Sequence, residues 1–408
     1  MLKEIEQTSI LCYNYTRKMW YFVKNVFIVG ARGYHASYGG WETFVSNLVD
    51  YYDDEKTRFY VGELSEDVNR DKIMEKVNDS LYLSPIYVKD IGSPKMFFYA
   101  MKSYLYVLKY IKEHKLKDCY IYVLGLKLGP LLWFYKGLRK KYNIRIMVNP
   151  DGLEHRRSKW NKIVQFCFLL SEWSMLNHCD MVICDALGIQ EYVNGRYKRL
   201  KKKTTYIAYG ACEYDFSGID EGVILKEYEL KKDGYCLMVG RCVPENNYEL
   251  VIKDFMKSKI KKDLVIISNL SSSNYYQELV SVTGCDKDKR IHFINGVYDQ
   301  EKLATIRKNA YLYIHGHSVG GTNPSLIEAI SLTDLNILYD VCFNHDIGGE
   351  ACLYFEKEGS LTKVLDDKKL LDSSKKKLGI KAKKLFKDHF TWERIVAQYK
   401  EIFKEVGE

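Results

Sequence analysis

Two short apolar runs constrain this chain more than anything else in it. Each is closed by glycine and followed by a polar loop and a helical pattern. The first is Val26-Phe-Ile-Val-Gly30, and the second, about 200 residues on, is Gly234-Tyr-Cys-Leu-Met-Val-Gly-Arg241. Apolar and β-branched residues without polar alternation read as a strand buried on both faces, the strand of a parallel sheet. Similar runs follow at Arg58–Gly62, Cys119–Leu124, Ile144–Val148 and Met181–Cys184, then at Leu264–Ser268, Ile291–Ile294, Tyr311–His315 and Asn336–Leu338. Helical stretches such as Lys95–Lys112 and Trp160–Asn177 lie between them. The pattern predicts an α/β chain in which helices cover parallel sheets.

The 408 residues suffice for two such domains. An acidic, irregular stretch after Thr205-Tyr-Ile-Ala-Tyr-Gly210 marks the junction. The expected division is an N-terminal extension over 1–24, Rossmann-like domains over 25–208 and 209–385, and a C-terminal helix over 386–408. Ligands of such sheets bind beyond the carboxyl ends of the strands.

Charge narrows the partners. The net charge is +9, but residues 101–203 hold 21 Lys/Arg against 8 Asp/Glu, while residues 209–408 hold 29 against 31. A surplus confined to one part of one domain suits an anionic partner: nucleic acid, a membrane surface or phosphate. No nucleic-acid motif accompanies it, and the aromatics sit in apolar runs such as Met96-Phe-Phe-Tyr and Leu131-Leu-Trp-Phe-Tyr. An anionic membrane surface is therefore expected and nucleic acid is not. There is no run of roughly 18 uncharged apolar residues and no secretory pattern, which predicts a cytoplasmic chain lying peripherally on the inner face of the cell membrane. Eleven cysteines without a Cys-x-x-Cys pair predict buried reduced thiols. The sole Asp-x-Asp, Asp286-Lys-Asp288, precedes a strand instead of following one, so neither metal nor cofactor is expected.

Four segments concentrate chemistry. In Tyr311–Ala329, a strand runs into a loop with Gly316, His317, Ser318, Gly320, Gly321, Thr322 and Asn323, and then a helix with Glu328. Glycine backbone and a helix N-terminus together suit a diphosphate, and Glu328 could accept a sugar hydroxyl. Arg241 stands just past a strand, where a guanidinium can grip phosphate bidentately. Gly39 and Gly40 precede a helix but depart from the dinucleotide fingerprint. Finally, Asn149-Pro-Asp-Gly-Leu-Glu-His-Arg-Arg-Ser-Lys-Trp160 packs Asp151, Glu154, Arg156, Arg157 and Lys159 into one strand-end loop. Turns and surface ion pairs are the plainer readings of each.

Taken together, these pieces resemble the GT-B retaining glycosyltransferases of the family-4, or group-1, class. Ile207-Ala-Tyr-Gly210, Asn295-Gly-Val-Tyr-Asp299 and Phe390-Thr-Trp-Glu393 add to the likeness, which runs from about residue 25 to about 405. "YGGWETF", "NPDGLEHRRSKW" and "HGHSVGGTNPSLIEA" look like the bacterial rhamnosyltransferase subgroup of surface-polysaccharide synthesis. The resemblance implies a GT-B fold, with two Rossmann-like domains facing across a deep cleft and a C-terminal helix able to cross back to the first. The second domain would bind a nucleotide sugar and the first a lipid-diphosphate-linked saccharide. Arg241, Gly321, Thr322 and Asn323 would hold the diphosphate, with Gly39 and Gly40 closing on it. Glu328 would bind the ribose, and Asn295, Val297 and Tyr298 would sit near the base. Asp151 stands where many relatives place a histidine near the transferred sugar, and with Glu154, Arg156, Arg157 and Lys159 it would meet the acceptor.

Two departures stand out. The class carries two glutamates separated by seven residues, but the earlier position here is Gly320, which leaves His317, Ser318 or exposed backbone to serve. Asn246 replaces the lysine usual after the arginine. The expected reaction is retaining, metal-independent transfer of L-rhamnose from dTDP-rhamnose. The alternatives are a UDP- or GDP-hexose as sugar donor, a sugar-nucleotide epimerase of the same architecture, or a non-catalytic nucleotide-sugar-binding relative.

Overall fold

A computed structural model describes residues 23–34, 40–92, 94–152, 154–156, 160–200, 203–270, 274–319 and 321–405. Its strands are β1 (Lys24–Val29), β2 (Thr57–Ser65), β3 (Glu75–Lys76), β4 (Leu81–Tyr87), β5 (Cys119–Leu124), β6 (Arg145–Asn149), β7 (Met181–Cys184) and β8 (Thr204–Tyr206). Then come β9 (Tyr235–Val239), β10 (Asp263–Ser268), β11 (Ile291–Asn295), β12 (Leu312–His315), β13 (Asn336–Tyr339) and β14 (Leu353–Phe355). They form two sheets, ordered β3-β4-β2-β1-β5-β6-β7-β8 and β11-β10-β9-β12-β13-β14. Among the described residues, one compact unit holds the chain up to 148 with 173–180, and the other holds 149–172 with 181–405.

In the first unit, β1 runs parallel to both β2 and β5. All six residues of β5 are buried, as are the last five of β1, which is why these strands carry no polar alternation. The chain order reverses between β1 and β5, and the backbone there is at its tightest. Gly30 has φ +113°, and a Cβ on it would lie 2.3 Å from the Leu124 carbonyl oxygen. Behind it, the Tyr99 hydroxyl donates to the Ala31 carbonyl at 2.6 Å and the Arg32 amide donates to the buried Glu42 carboxylate at 2.9 Å. The strand β4 has no counterpart in the apolar-run reading, because Ser84 and Pro85 interrupt it. It pairs parallel to β2 and, at only two residues, antiparallel to β3. Pro85 lies beyond those two residues, where a missing N–H costs no ladder bond.

In the second unit, β9, β10, β11, β12, β13 and β14 pair in parallel in the order of a doubly wound sheet. Its strands are buried between two layers. One is packed around Tyr248, Val251, Phe255, Leu361 and Leu371, and the other around Leu303, Ile306 and Ala329. The C-terminal segment is fastened to the Ile207–Gly210 run. The Ala211 amide donates to the Phe390 carbonyl at 2.9 Å, and Gly210 faces the Trp392 ring, where a Cβ would come within 2.8 Å. Burial pushes the Cys236 thiol up to about 12. Cys167 and Cys342, expected inside, are exposed. Among the described residues, no helix is long and apolar enough to cross a membrane.

The clash at Gly30 is with backbone, so neither partner can swing away. Gly30→Ala is expected to destabilise the protein by roughly 2–4 kcal/mol, read as a fall in the urea midpoint at unchanged slope.

Candidate functional site

The order of the second sheet reverses between β9 and β12, and the loops leaving these two strands are locked together. Gly316, just past β12, lies so close to the loop after β9 that a Cβ would come within 2.2 Å of the Asn246 carbonyl oxygen. The Asn247 side-chain amide donates to the Gly316 carbonyl at 2.8 Å. Asn247 itself has φ +51°, which asparagine tolerates. Both the amide and the hydroxyl of Ser318 donate to the Glu245 carbonyl, each at 2.9 Å. Asn246 is buried and bridges the two loops: its Nδ2 donates to the Arg241 carbonyl at 2.6 Å, and its Oδ1 lies 2.7 Å from His317 Nδ1. Arg241 is thereby held by its backbone while its side chain is exposed at the rim.

Below the loops runs a polar chain that pattern reading missed in part. The Tyr313 hydroxyl donates to the Val239 carbonyl at 3.2 Å and lies 3.1 Å from Ser325 Oγ. Arg307 donates to the same Ser325 oxygen at 3.1 Å and pairs with Glu328 at 2.6 Å. Arg307 is 2% exposed, so Glu328 is the partner of a buried guanidinium and not a solvated carboxylate. A basic residue at the end of a surface-type helix gave no sign of this. His315 is buried beside them, and burial together with His317 holds its imidazole well below its ordinary pKa, in the neutral form. Its Nε2, like Arg307 Nε, is buried without a hydrogen-bond partner among the described residues.

Several expected contact residues have structural tasks. The Asn323 carboxamide oxygen caps the helix Pro324–Leu332 by accepting from the Ser325 amide at 3.0 Å. The Thr322 hydroxyl donates to the Asp185 carbonyl and is buried. Val297 packs its side chain into the core, so only its backbone can face a ligand. Tyr298 is exposed, and Asn295 is exposed at the end of β11 with its Oδ1 accepting from the Leu270 amide at 3.3 Å. Gly40 begins the helix Gly40–Asp50 in the first unit and has open space around it. Gly39, Gly320, Arg157, Lys159 and the side chain of Arg156 lie outside the described residues.

The charge of Asp151 acts on the buried carboxyl of Asp185. Asp151 has φ +55°, in a turn where its amide donates to Asn149 Oδ1 at 2.7 Å. Asp185, which follows β7, is 2% exposed, and its Oδ1 has no partner among the described residues. Gly321 presses on it: a Cβ there would be 2.6 Å from Asp185 Oδ2. Burial first, and the Asp151 charge second, push the Asp185 carboxyl up to about 7. Glu172 is a separate buried hub that accepts from the Tyr192 and Tyr197 hydroxyls, both at 2.8 Å, with His155 Nδ1 at 3.0 Å. Glu154 accepts from the Trp160 indole at 3.0 Å. Neither Asp185 nor Glu172 lies in a segment that stood out in sequence.

A family model described as "Domain of unknown function (DUF1972)" matches residues 23–212. No curated protein matches the sequence. Among solved structures, sucrose-phosphate synthase from Thermosynechococcus elongatus superposes with TM-score 0.73 at 16% identity, covering 94% of this chain and 98% of its own. HepE from Anabaena, in complex with UDP and glucose, gives TM-score 0.67 at 12% identity, covering 94% of this chain and 100% of its own. A glycosyltransferase from Rickettsia africae gives TM-score 0.68 at 12% identity, covering 94% and 98%. The fold is that of GT-B glycosyltransferases.

An unfolded aspartate gives up its proton near 4, whereas folded Asp185 keeps it to about 7. The folded state thus binds more protons between these values, and stability falls as pH rises through them. Asp185→Asn stays neutral throughout. Its melting temperature is expected to exceed the wild type's by a few degrees at about pH 8 and by less at about pH 5. A difference independent of pH would refute the shifted carboxyl.

Proposed function

We propose that this protein is a retaining glycosyltransferase. It moves a hexose, L-rhamnose from dTDP-rhamnose, to a lipid-diphosphate-linked saccharide in bacterial surface-polysaccharide synthesis. One observation carries the reading. The loops after β9 and β12 are interlocked at the point where strand order reverses, with Arg241 exposed on their rim and the capped helix Pro324–Leu332 starting beside them. A diphosphate needs such a place: a rigid cation, backbone N–H groups and a helix N-terminus. The GT-B neighbours crystallised with UDP or UDP-glucose support the same class of ligand. The rhamnosyl assignment rests on the motif resemblance.

In this mechanism the leaving diphosphate takes the acceptor's proton, and the sugar passes through an oxocarbenium-like state on the face it departs from. The protein stabilises charge on the leaving group and positions two substrates. Arg241 supplies the positive charge. Asn246 and His317 hold its loop, in place of a second cation. Glu328, oriented by Arg307, receives a hydroxyl of the deoxyribose. Asp151, Glu154, Arg156, Arg157 and Lys159 face the acceptor. No metal enters the reaction.

A thermal-shift panel of dTDP, UDP and GDP is expected to show the largest rise in melting temperature with dTDP. Arg241→Ala should lose transfer activity by on the order of 10²–10³, with the fold intact by circular dichroism. Transfer to a lipid-linked acceptor should persist in excess chelator, and loss restored by Mg²⁺ would overturn the metal-independent route. Binding of a sugar nucleotide without transfer to any lipid-linked acceptor would favour the non-catalytic relative.

A further inference from the structure

The loop that follows β6 is fastened to its own unit through His155, a residue the mechanism does not use. At the start of the loop the Asp151 amide donates to Asn149 Oδ1 at 2.7 Å, and the Glu154 amide donates to the Gly152 carbonyl at 3.0 Å. A 3-10 turn follows over Glu154–Arg156. Glu154 accepts from the Trp160 indole at 3.0 Å, and the Trp160 ring packs on Phe168 with centroids 5.6 Å apart. His155 is turned inward. Its side chain is 14% exposed, and Nδ1 lies 3.0 Å from Glu172 Oε2. Its ring also lies beside Tyr192, with centroids 6.0 Å apart.

Glu172 is a fixed anchor for this histidine. Its side chain is 2% exposed. Oε1 accepts from the Tyr192 and Tyr197 hydroxyls, and Arg196 Nε stands 3.8 Å away. These three residues belong to the helix Leu187–Arg196 or directly follow it. They hold the carboxylate by one oxygen and leave the other to the loop. Among the described residues, no aligned hydrogen bond reaches Oε2. A buried carboxylate oxygen is costly unless a polar hydrogen faces it, and His155 Nδ1 stands close enough to do so. The tautomer with its proton on Nδ1 meets that need. It fixes the ring, and with the ring the backbone turn that carries Glu154 and Arg156. A loop that must be ordered by its substrate loses affinity to that ordering, and a loop already ordered does not.

We propose that Glu172 and His155 are positioning residues for the acceptor. The buried carboxylate holds the imidazole, and the imidazole holds the turn Glu154–Arg156 in the conformation that receives the saccharide. Neither residue touches the reacting atoms. The inference deepens the proposed function, since it rests on the reading that this loop faces the acceptor. Arg241 and Glu328 take no part in the contact, so acceptor and donor kinetics separate when it is broken.

Two measurements on the full chain test this. Hydrogen–deuterium exchange of the peptide spanning 149–160 reads the loop directly. His155→Ala is expected to speed its exchange by about tenfold or more. His155→Asn, whose side-chain N–H can stand in for Nδ1–H, restores most of the protection. Transfer from dTDP-rhamnose to a panel of lipid-diphosphate-linked monosaccharides reads the consequence. In His155→Ala the acceptor KM rises by about tenfold or more, while the donor KM and the dTDP-induced rise in melting temperature stay at wild-type values. His155→Asn recovers most of that loss as well. His155→Phe keeps the ring volume beside Tyr192 but lacks the N–H. It is expected to behave like alanine, and it carries the test if the smaller side chain does not fold. Unchanged exchange in both variants, or faster exchange with an unchanged acceptor KM, would overturn the proposal. So would donor and acceptor KM rising together, the mark of a general loss of structure. If exchange follows the substitutions but the wild type transfers no sugar to any acceptor, the glycosyltransferase reading fails and the pinning of the loop stands. If transfer is seen and the loop is unmoved by the substitutions, the reading stands and the positioning pair falls.

Discussion

There is no room for a methyl group between Gly316 and the Asn246 carbonyl. This contact sets how the two central strands of the second sheet end, and the candidate site is built on it. Because the backbones touch, Asn247 can reach the Gly316 carbonyl, Ser318 can close on Glu245, and Asn246 can join Arg241 to His317. A set of loops that would otherwise be mobile becomes one rim. Rigidity of this kind matters for a ligand that carries little shape and much charge, since stabilisation of a leaving group depends on dipoles already in place.

The buried polar groups follow the same logic. Arg307 is expensive to bury, its cost is offset by Glu328 and Ser325, and it in turn orients Glu328. His315 is kept neutral beside them. Asp185 goes the other way: pressed by Gly321 and repelled by Asp151, it holds a proton that an exposed aspartate would lose. Each is a costly burial, tolerated where polar chemistry is useful.

How much of this was legible in sequence depended on how local the signal was. Continuous apolar runs gave away the doubly buried strands, with Cys119–Leu124 and Met181–Cys184 matching to the residue. By contrast, β4 hid behind Ser84 and Pro85, since its place beside a two-residue edge strand is a tertiary fact. The glycine loop after β12 and Arg241 were visible because strand-end glycines and a lone strand-end arginine form a local pattern. Arg307, Asp185 and Glu172 were not, because their importance comes from burial against residues distant in the chain. Thr322 and Asn323 were read as ligand contacts by residue type, while the fold uses one to reach Asp185 and the other to cap a helix. The charge surplus was visible only as a total. The structure shows part of it as exposed lysines, Lys136, Lys140, Lys141 and Lys162 among them.

The central claim is that the locked β9 and β12 loops form a phosphate-holding rim. The most direct measurement is calorimetric titration of a nucleoside diphosphate into wild type and Gly316→Ala, with circular dichroism confirming the fold of each. Displacing the Asn246 carbonyl should weaken binding by about tenfold or more. Unchanged affinity in a folded Gly316→Ala protein would contradict the account.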